Sequence, residues 1–147
     1  MTGETRRVLV PVDDSERATA AIRYAAERYP DADIVALHVV DVTSAIHGAD
    51  PDVTAPGDWE DVYESAQTNA DAVLEAAETA AAEVGVEIRT DRVEGRAARR
   101  IVAYAEENEV DEVVVASHGR TGVSRILLGS VAEEVVRRAP CPVTVVR

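Results

Sequence analysis

A chain of 147 residues suffices for one hydrophobic core that buries about 70% of its unfolded surface, so a single domain over residues 1–147 is expected. Its net charge of −13, with all fifteen basic residues arginine and no lysine, argues against nucleic acid as a partner, because phosphate-backbone affinity comes from basic clusters. A hydrophobic share of 46% without any Phe, with one Trp and four Tyr, suits an aliphatic α/β core better than an aromatic binding surface.

Taken in chain order, the first apolar run is RVLVPV (7–12), which reads as a strand. Asp14 and Ser15 follow as helix caps, and the next helix sets Ala18, Ala21, Ile22, Ala25, Ala26 and Tyr29 on one face before Pro30 stops it. DIVALHVVDV (33–42) is the second strand, and TSAIHGADPDVTAPG (43–57) a long loop with two prolines, two glycines and no helical period. The second helix is the longest, with Trp59, Val62, Tyr63, Ala66, Ala70, Val73, Leu74, Ala77 and Val84 along one stripe. A third strand, VEIRTDRV (86–93), precedes a helix marked by Ala98, Ile101, Val102 and Ala105. DEVVVAS (111–117) is the fourth strand, Val131, Val135 and Val136 mark the fourth helix, and CPVTVV (141–146) closes the set. Strands alternating with helices imply a parallel sheet.

No apolar run reaches the eighteen residues of a bilayer span, and MTGETRRVLV does not read as a signal peptide, so a soluble, cytoplasmic protein without a membrane partner is expected. The acidic, lysine-free surface is similar to that of proteins adapted to concentrated salt, where counterions screen self-repulsion. Cys141 is the only cysteine and reads as a strand residue rather than a reactive thiol. His38, His47 and His118 lack metal-ligand spacing, and no metal site of the protein's own is expected.

Two loops carry chemistry. After the first strand, Asp13 is either a cap for the following helix or a carboxylate that accepts from an adenine amino group or a ribose hydroxyl. After the fourth, Gly119 and Gly122 permit close backbone approach, and Ser130 with Glu133 three residues on matches a capping box. A helix start of this kind offers free N–H groups and a positive dipole end, so Gly119, Gly129 and the amides of Ser130 and Val131 could cradle phosphate oxygens, with charge from Arg120 and Arg125. The alternative is a plain turn and a plain cap.

Four stretches in order, VLVPVDDSERATAAIRYA, ALHVVDV, VEGRAARRIVAYAEENEVDEVVVASHGRTG and LLGSVAEEVVRRAPCPVTVV, resemble the universal stress protein family over almost the whole chain. The family's nucleotide signature, Gly, two residues, Gly, nine residues, then Gly and Ser or Thr, is matched through Ala116, Gly119, Gly129 and Ser130. One position departs, since the first glycine is Ala116, whose methyl either fits at the strand end or intrudes on the ligand. The resemblance implies a doubly wound, five-stranded parallel sheet of order 3-2-1-4-5 with helices on both faces, Rossmann-like and similar to the adenine nucleotide alpha hydrolases. It implies a nucleotide site at Pro11, Val12, Asp13, Val39, Ala116, Ser117, Gly119, Arg120, Gly129, Ser130 and Val131, with the backbone of Val39 meeting adenine. The implied ligand is ATP, or AMP or ADP, with Mg²⁺ arriving on the phosphates, and the implied role is a nucleotide-dependent stress switch with at most slow hydrolysis. It also implies a homodimer through the C-terminal strand, residues 141–147.

Other readings fit less well. A phosphorelay receiver needs a lysine after its last strand, and this chain has none. Adenylate-forming enzymes of the pyrophosphatase-loop type carry a Ser-Gly-Gly-rich loop where this chain has VDDSERA. A dimeric interaction module of the same family that binds no nucleotide is the remaining alternative.

Overall fold

Strands covered by helices on both faces lose the alternation of a half-solvated strand, and the runs VLV and IVAL have that character. The computed structural model describes residues 5–41, 56–117 and 128–147. It contains strands β1 (Arg7–Pro11), β2 (Asp33–Val40), β3 (Arg89–Glu94), β4 (Glu112–Ala116) and β5 (Val143–Val146). The helices are α1 (Glu16–Arg28), α2 (Pro56–Glu83), α3 (Ala97–Glu107) and α4 (Ser130–Arg138). The strands form one parallel sheet of order β3-β2-β1-β4-β5, as the resemblance implies.

Successive residues of each central strand point to opposite faces, and the core divides accordingly. Val8, Val10, Ile34, Ala36 and Val114 pack with α1 and α2 on one face. Leu9, Val35, Leu37, Val113 and Val115 pack with α3 and α4 on the other. Leu9, Val10 and Leu37 are fully buried. Full burial of such a side chain contributes about 1.5–3 kcal/mol, and Val113 and Val114 of β4 are buried as fully, so β1, β2 and β4 together are the energetic centre of the sheet.

Local chemistry sets the helix ends. Tyr29 closes α1 with its N–H on the Ala25 carbonyl, and Pro30 lacks the donor to continue. At the end of α2, Gly85 takes φ +77°, and the Gly85 and Val86 amides donate to the Ala82 and Ala81 carbonyls. That left-handed closure suits glycine because any Cβ would be strained there.

Several expectations are corrected. β3 begins at Arg89, because Val86 and Ile88 pack against the core without joining the ladder. Ladder pairing of β5 likewise begins at Val143, not Cys141. Pro56 and Gly57, read as loop, belong to α2, where proline is well placed at a helix start. The rest of that loop, residues 43–55, lies outside the described residues. Tyr63 is 45% exposed, its hydroxyl donating to Glu94 rather than lying in the buried stripe. In α4 the buried pair is Ala132 and Val135, whereas Val131 and Val136 are 39% and 44% exposed. Among the described residues no helix is long and apolar enough to cross a membrane.

Candidate functional site

In a doubly wound sheet, ligands bind beyond the carboxyl ends of the strands, where the strand order reverses. Here that point lies between β1 and β4, which are neighbours although their register partners stand more than a hundred residues apart. A cleft of about 130 Å³ opens there. Of the residues expected to form the site, Pro11, Val12, Asp13, Val39, Ala116, Ser117 and Val131 all line it. Gly129 and Ser130, also expected there, stand at the start of α4 and are not among its lining residues; Gly119 and Arg120, with His118, Gly122 and Arg125, lie outside the described residues.

The β1 side supplies an acceptor. Asp13 is exposed, and its Oδ1 accepts the Ser15 backbone N–H at 2.9 Å, a local turn bond of the kind aspartate forms ahead of a helix. Asp13 is therefore not the N-cap of α1, which is Ser15; a carboxylate accepts at two oxygens, so the turn bond leaves it able to accept from a ligand. Ser15 takes the cap position of α1 with extended backbone and makes no side-chain cap bond.

The β4 side supplies donors. Gly129, not Ser130, is the N-cap of α4, with φ −62° and ψ 159°, which corrects the capping-box reading by one position. The Glu133 N–H donates to the Gly129 carbonyl as the first helical bond, and the Glu133 carboxylate accepts from Arg137 at 2.7 Å rather than folding back on the cap. A glycine cap has no side-chain oxygen to satisfy the amides of the first turn, which therefore face outward as donors at the positive end of the dipole. Val131 and Ala132 of that turn line the cleft.

Ala116 ends β4 paired with Val146. Glu109 is the only non-glycine residue with positive φ among the described residues, so Ala116 requires no backbone freedom that a methyl group denies. Leu37, Val39, Ala97, Ile101 and Val115 give the cleft its apolar walls.

Leu37, His38, Ala97, Ile101 and Val115 were not foreseen as lining residues. The apolar ones carry no signal beyond core periodicity. His38, a strand residue by its place in the apolar run, is 7% exposed, and its Nδ1 donates to the Val12 carbonyl at 2.9 Å. Its partner lies 26 positions away, beyond the reach of any local pattern. Among the described residues no group of three or more His, Cys, Asp or Glu side chains could hold a metal ion. The Cys141 thiol is pushed up from its ordinary value, first by burial and then by Asp111 and Glu112, which disfavours the nucleophilic thiolate.

An apolar slot flanked by one carboxylate and one open helix start suits a planar heterocycle that carries a hydrogen-bond donor at one end and an anionic group at the other. His38, among the described residues of the cleft, bonds the Val12 main-chain carbonyl through Nδ1.

Comparison with known proteins agrees with this geometry. The universal stress protein family model matches residues 4–147. A universal stress protein of Methanocaldococcus jannaschii is 37% identical over 145 residues, covering 97% of this chain and 82% of the relative. The structure of universal stress protein UspA from Lactobacillus plantarum superposes with a TM-score of 0.72 at 28% identity, covering 99% of this chain and all of that one. A universal stress protein family structure from Arabidopsis thaliana with AMP bound shares the fold at a TM-score of 0.67 and 22% identity, covering 96% of this chain and 90% of that one.

Proposed function

This chain belongs to the universal stress protein family, and from that premise we propose that it binds an adenine nucleotide in the β1–β4 cleft and acts as a nucleotide-dependent switch in a stress response. The observation that carries the reading is the meeting, in one cleft, of the Asp13 carboxylate, apolar walls and the glycine-capped start of α4. The donor set fits the ligand. Asp13 would accept from the adenine amino group or a ribose hydroxyl, Leu37, Val39 and Ile101 would flank the base, and the first-turn amides of α4 would receive phosphate oxygens. AMP, ADP and ATP share these features, with Mg²⁺ carried by the longer phosphate chains. The AMP bound to the Arabidopsis protein of the same fold supports the assignment.

With no activated nucleophile among the described cleft residues, the nucleotide is a ligand that biases conformation or assembly, and any hydrolysis is slow. Assembly would run through β5, which pairs with β4 on one side only and lies at the end of the sheet order. An aliphatic edge strand of this kind invites a second copy, and we read the protein as a homodimer through residues 141–147.

Calorimetry with AMP, ADP, ATP and adenosine at high salt tests the reading. Binding of AMP but only weakly of adenosine is expected. Protein that binds none of them and carries none on purification would leave the dimeric interaction module in its place, and sedimentation showing only monomer would remove the dimer.

A further inference from the structure

Two consecutive residues of β2 hold the backbone where it leaves β1. The Val12 N–H donates to the Leu37 carbonyl at 2.9 Å, extending the β1–β2 ladder one residue beyond Pro11. The Val12 carbonyl accepts from His38 Nδ1, also at 2.9 Å. A carbonyl can only accept, so in the neutral imidazole the proton sits on Nδ1 and Nε2 is left as an acceptor. One residue further on, Asp13 Oδ1 takes the Ser15 N–H at 2.9 Å. Both backbone groups of Val12 are therefore held immediately before the carboxylate at the cleft mouth.

This arrangement answers a backbone problem. A strand that turns into a loop runs out of ladder partners, and a buried carbonyl left without a donor is costly. Val12 is 5% exposed, so its carbonyl needs a partner from within the protein. Removing the imidazole donor would drive that carbonyl to rotate toward water. Rotation turns the Val12–Asp13 peptide plane and swings the Asp13 side chain away from the cleft.

We propose that His38 is a positioning residue of the nucleotide site: by holding the Val12–Asp13 peptide through Nδ1–H it presents the Asp13 carboxylate to the base, and so sets the preference for adenine over guanine. The proposal rests on the nucleotide reading given above. A carboxylate attracts the exocyclic amino group of adenine and repels the carbonyl that guanine carries at the corresponding position. Selectivity between the two bases therefore reports where the carboxylate stands, whereas a purely structural role for His38 would alter stability and leave selectivity alone.

The test uses the full chain, the wild type and two substitutions. In His38→Asn the side-chain amide nitrogen lies near the place of Nδ1; in His38→Gln it reaches the place of Nε2 and leaves the Val12 carbonyl without its donor. Calorimetry with AMP and GMP is expected to show a tight, adenine-selective wild type and an Asn variant within about threefold of it. The Gln variant should be weakened about tenfold for AMP, the loss of roughly one hydrogen bond to a charged group, with the AMP/GMP ratio moving toward one. The nitrogen spectrum of the wild-type imidazole should place the proton on Nδ1, and exchange of the Ser15 amide should quicken in the Gln variant only. A folded Gln variant with wild-type selectivity and Ser15 exchange overturns the proposal, as does a wild-type proton on Nε2. If the Gln variant does not fold, the Asn variant and the wild-type spectrum decide. Wild-type protein that binds neither nucleotide overturns the nucleotide reading, while Ser15 exchange still reports separately whether His38 holds the turn.

Discussion

Substitution of Ser130 by proline isolates the contribution of the α4 amides. Ser130 is the first helical residue after the Gly129 cap, the position where proline is most easily accepted because its N–H would have no intrahelical partner. The residue before a proline must be extended, and Gly129 already is, at φ −62° and ψ 159°. The fold should therefore be unharmed, and the reduced freedom of the unfolded chain can add about 0.4–1 kcal/mol of stability. What the substitution removes is one main-chain donor of the α4 first turn, whose Val131 and Ala132 line the cleft, together with the hydroxyl. A hydrogen bond to a charged group contributes about 1.5–3 kcal/mol, so the Kd for AMP should rise about 10- to 150-fold. Calorimetry with AMP gives that number, thermal unfolding verifies the fold, and Ser130→Ala, which keeps the amide, separates the hydroxyl's share. A Ser130→Pro protein that melts at or above the wild-type temperature and binds AMP with wild-type affinity would refute phosphate binding at this helix start.

Three other outcomes are expected. Ala116→Gly should lower stability by about 0.5–1 kcal/mol, the usual cost of glycine in a strand, and leave the AMP Kd within about threefold; a tenfold tightening would mean that the methyl crowds the ligand. Gly95 has φ +138°, and a Cβ built there meets Arg100 Cγ at 2.8 Å and Cδ at 3.0 Å, so Gly95→Ala should cost about 1–3 kcal/mol in urea unfolding. Burial, with the Asp91 carboxylate accepting its O–H, raises the Tyr104 hydroxyl from 10.0 to about 12. A raised folded pKa means that this stabilisation is complete below pH 10 and disappears as pH climbs toward 12. The wild type should thus lose stability across that window relative to Tyr104→Phe, as followed by unfolding curves at stepped pH, and parallel curves would contradict the assignment.

Where chain pattern and packing express the same physics, the fold was legible. Uninterrupted apolar runs announced β1, β2 and β4 because burial on both faces removes alternation, and the proline after Tyr29 marked the end of α1. Misreadings arose where apolarity served something other than the element assumed. Val86 and Ile88 anchor a connection, and Tyr63 has an apolar ring but a hydroxyl that belongs to Glu94. In α4 the sequence pattern favours valines, yet of these only Val135 is buried, and Ala132 packs beside it in place of Val131 and Val136. At the site, the start of α4 stood out through its glycine and serine spacing, whereas Asp13 and Val39 stood out through the family resemblance. The exact cap did not, since Gly-Ser-x-x-Glu is compatible with two frames and only the backbone distinguishes them. His38 was legible as a strand residue but not as a cleft residue, because the strand pairing that brings it to Val12 is itself non-local.

β1 sits between β2 and β4, and its pairs Arg7↔Asp33 and Val8↔Glu112 complete very different spans of chain. On the ribosome, at about 5–20 residues per second, β2 is made almost at once, whereas β4 follows on the order of 5–15 s later. For that interval a strand whose Val8, Leu9 and Val10 are buried in the finished protein has a raw apolar flank, and the half-made chain depends on its acidity to stay apart from its neighbours. Birth order, as well as final stability, bears on where hydrophobic residues can be tolerated in the first third of this sequence.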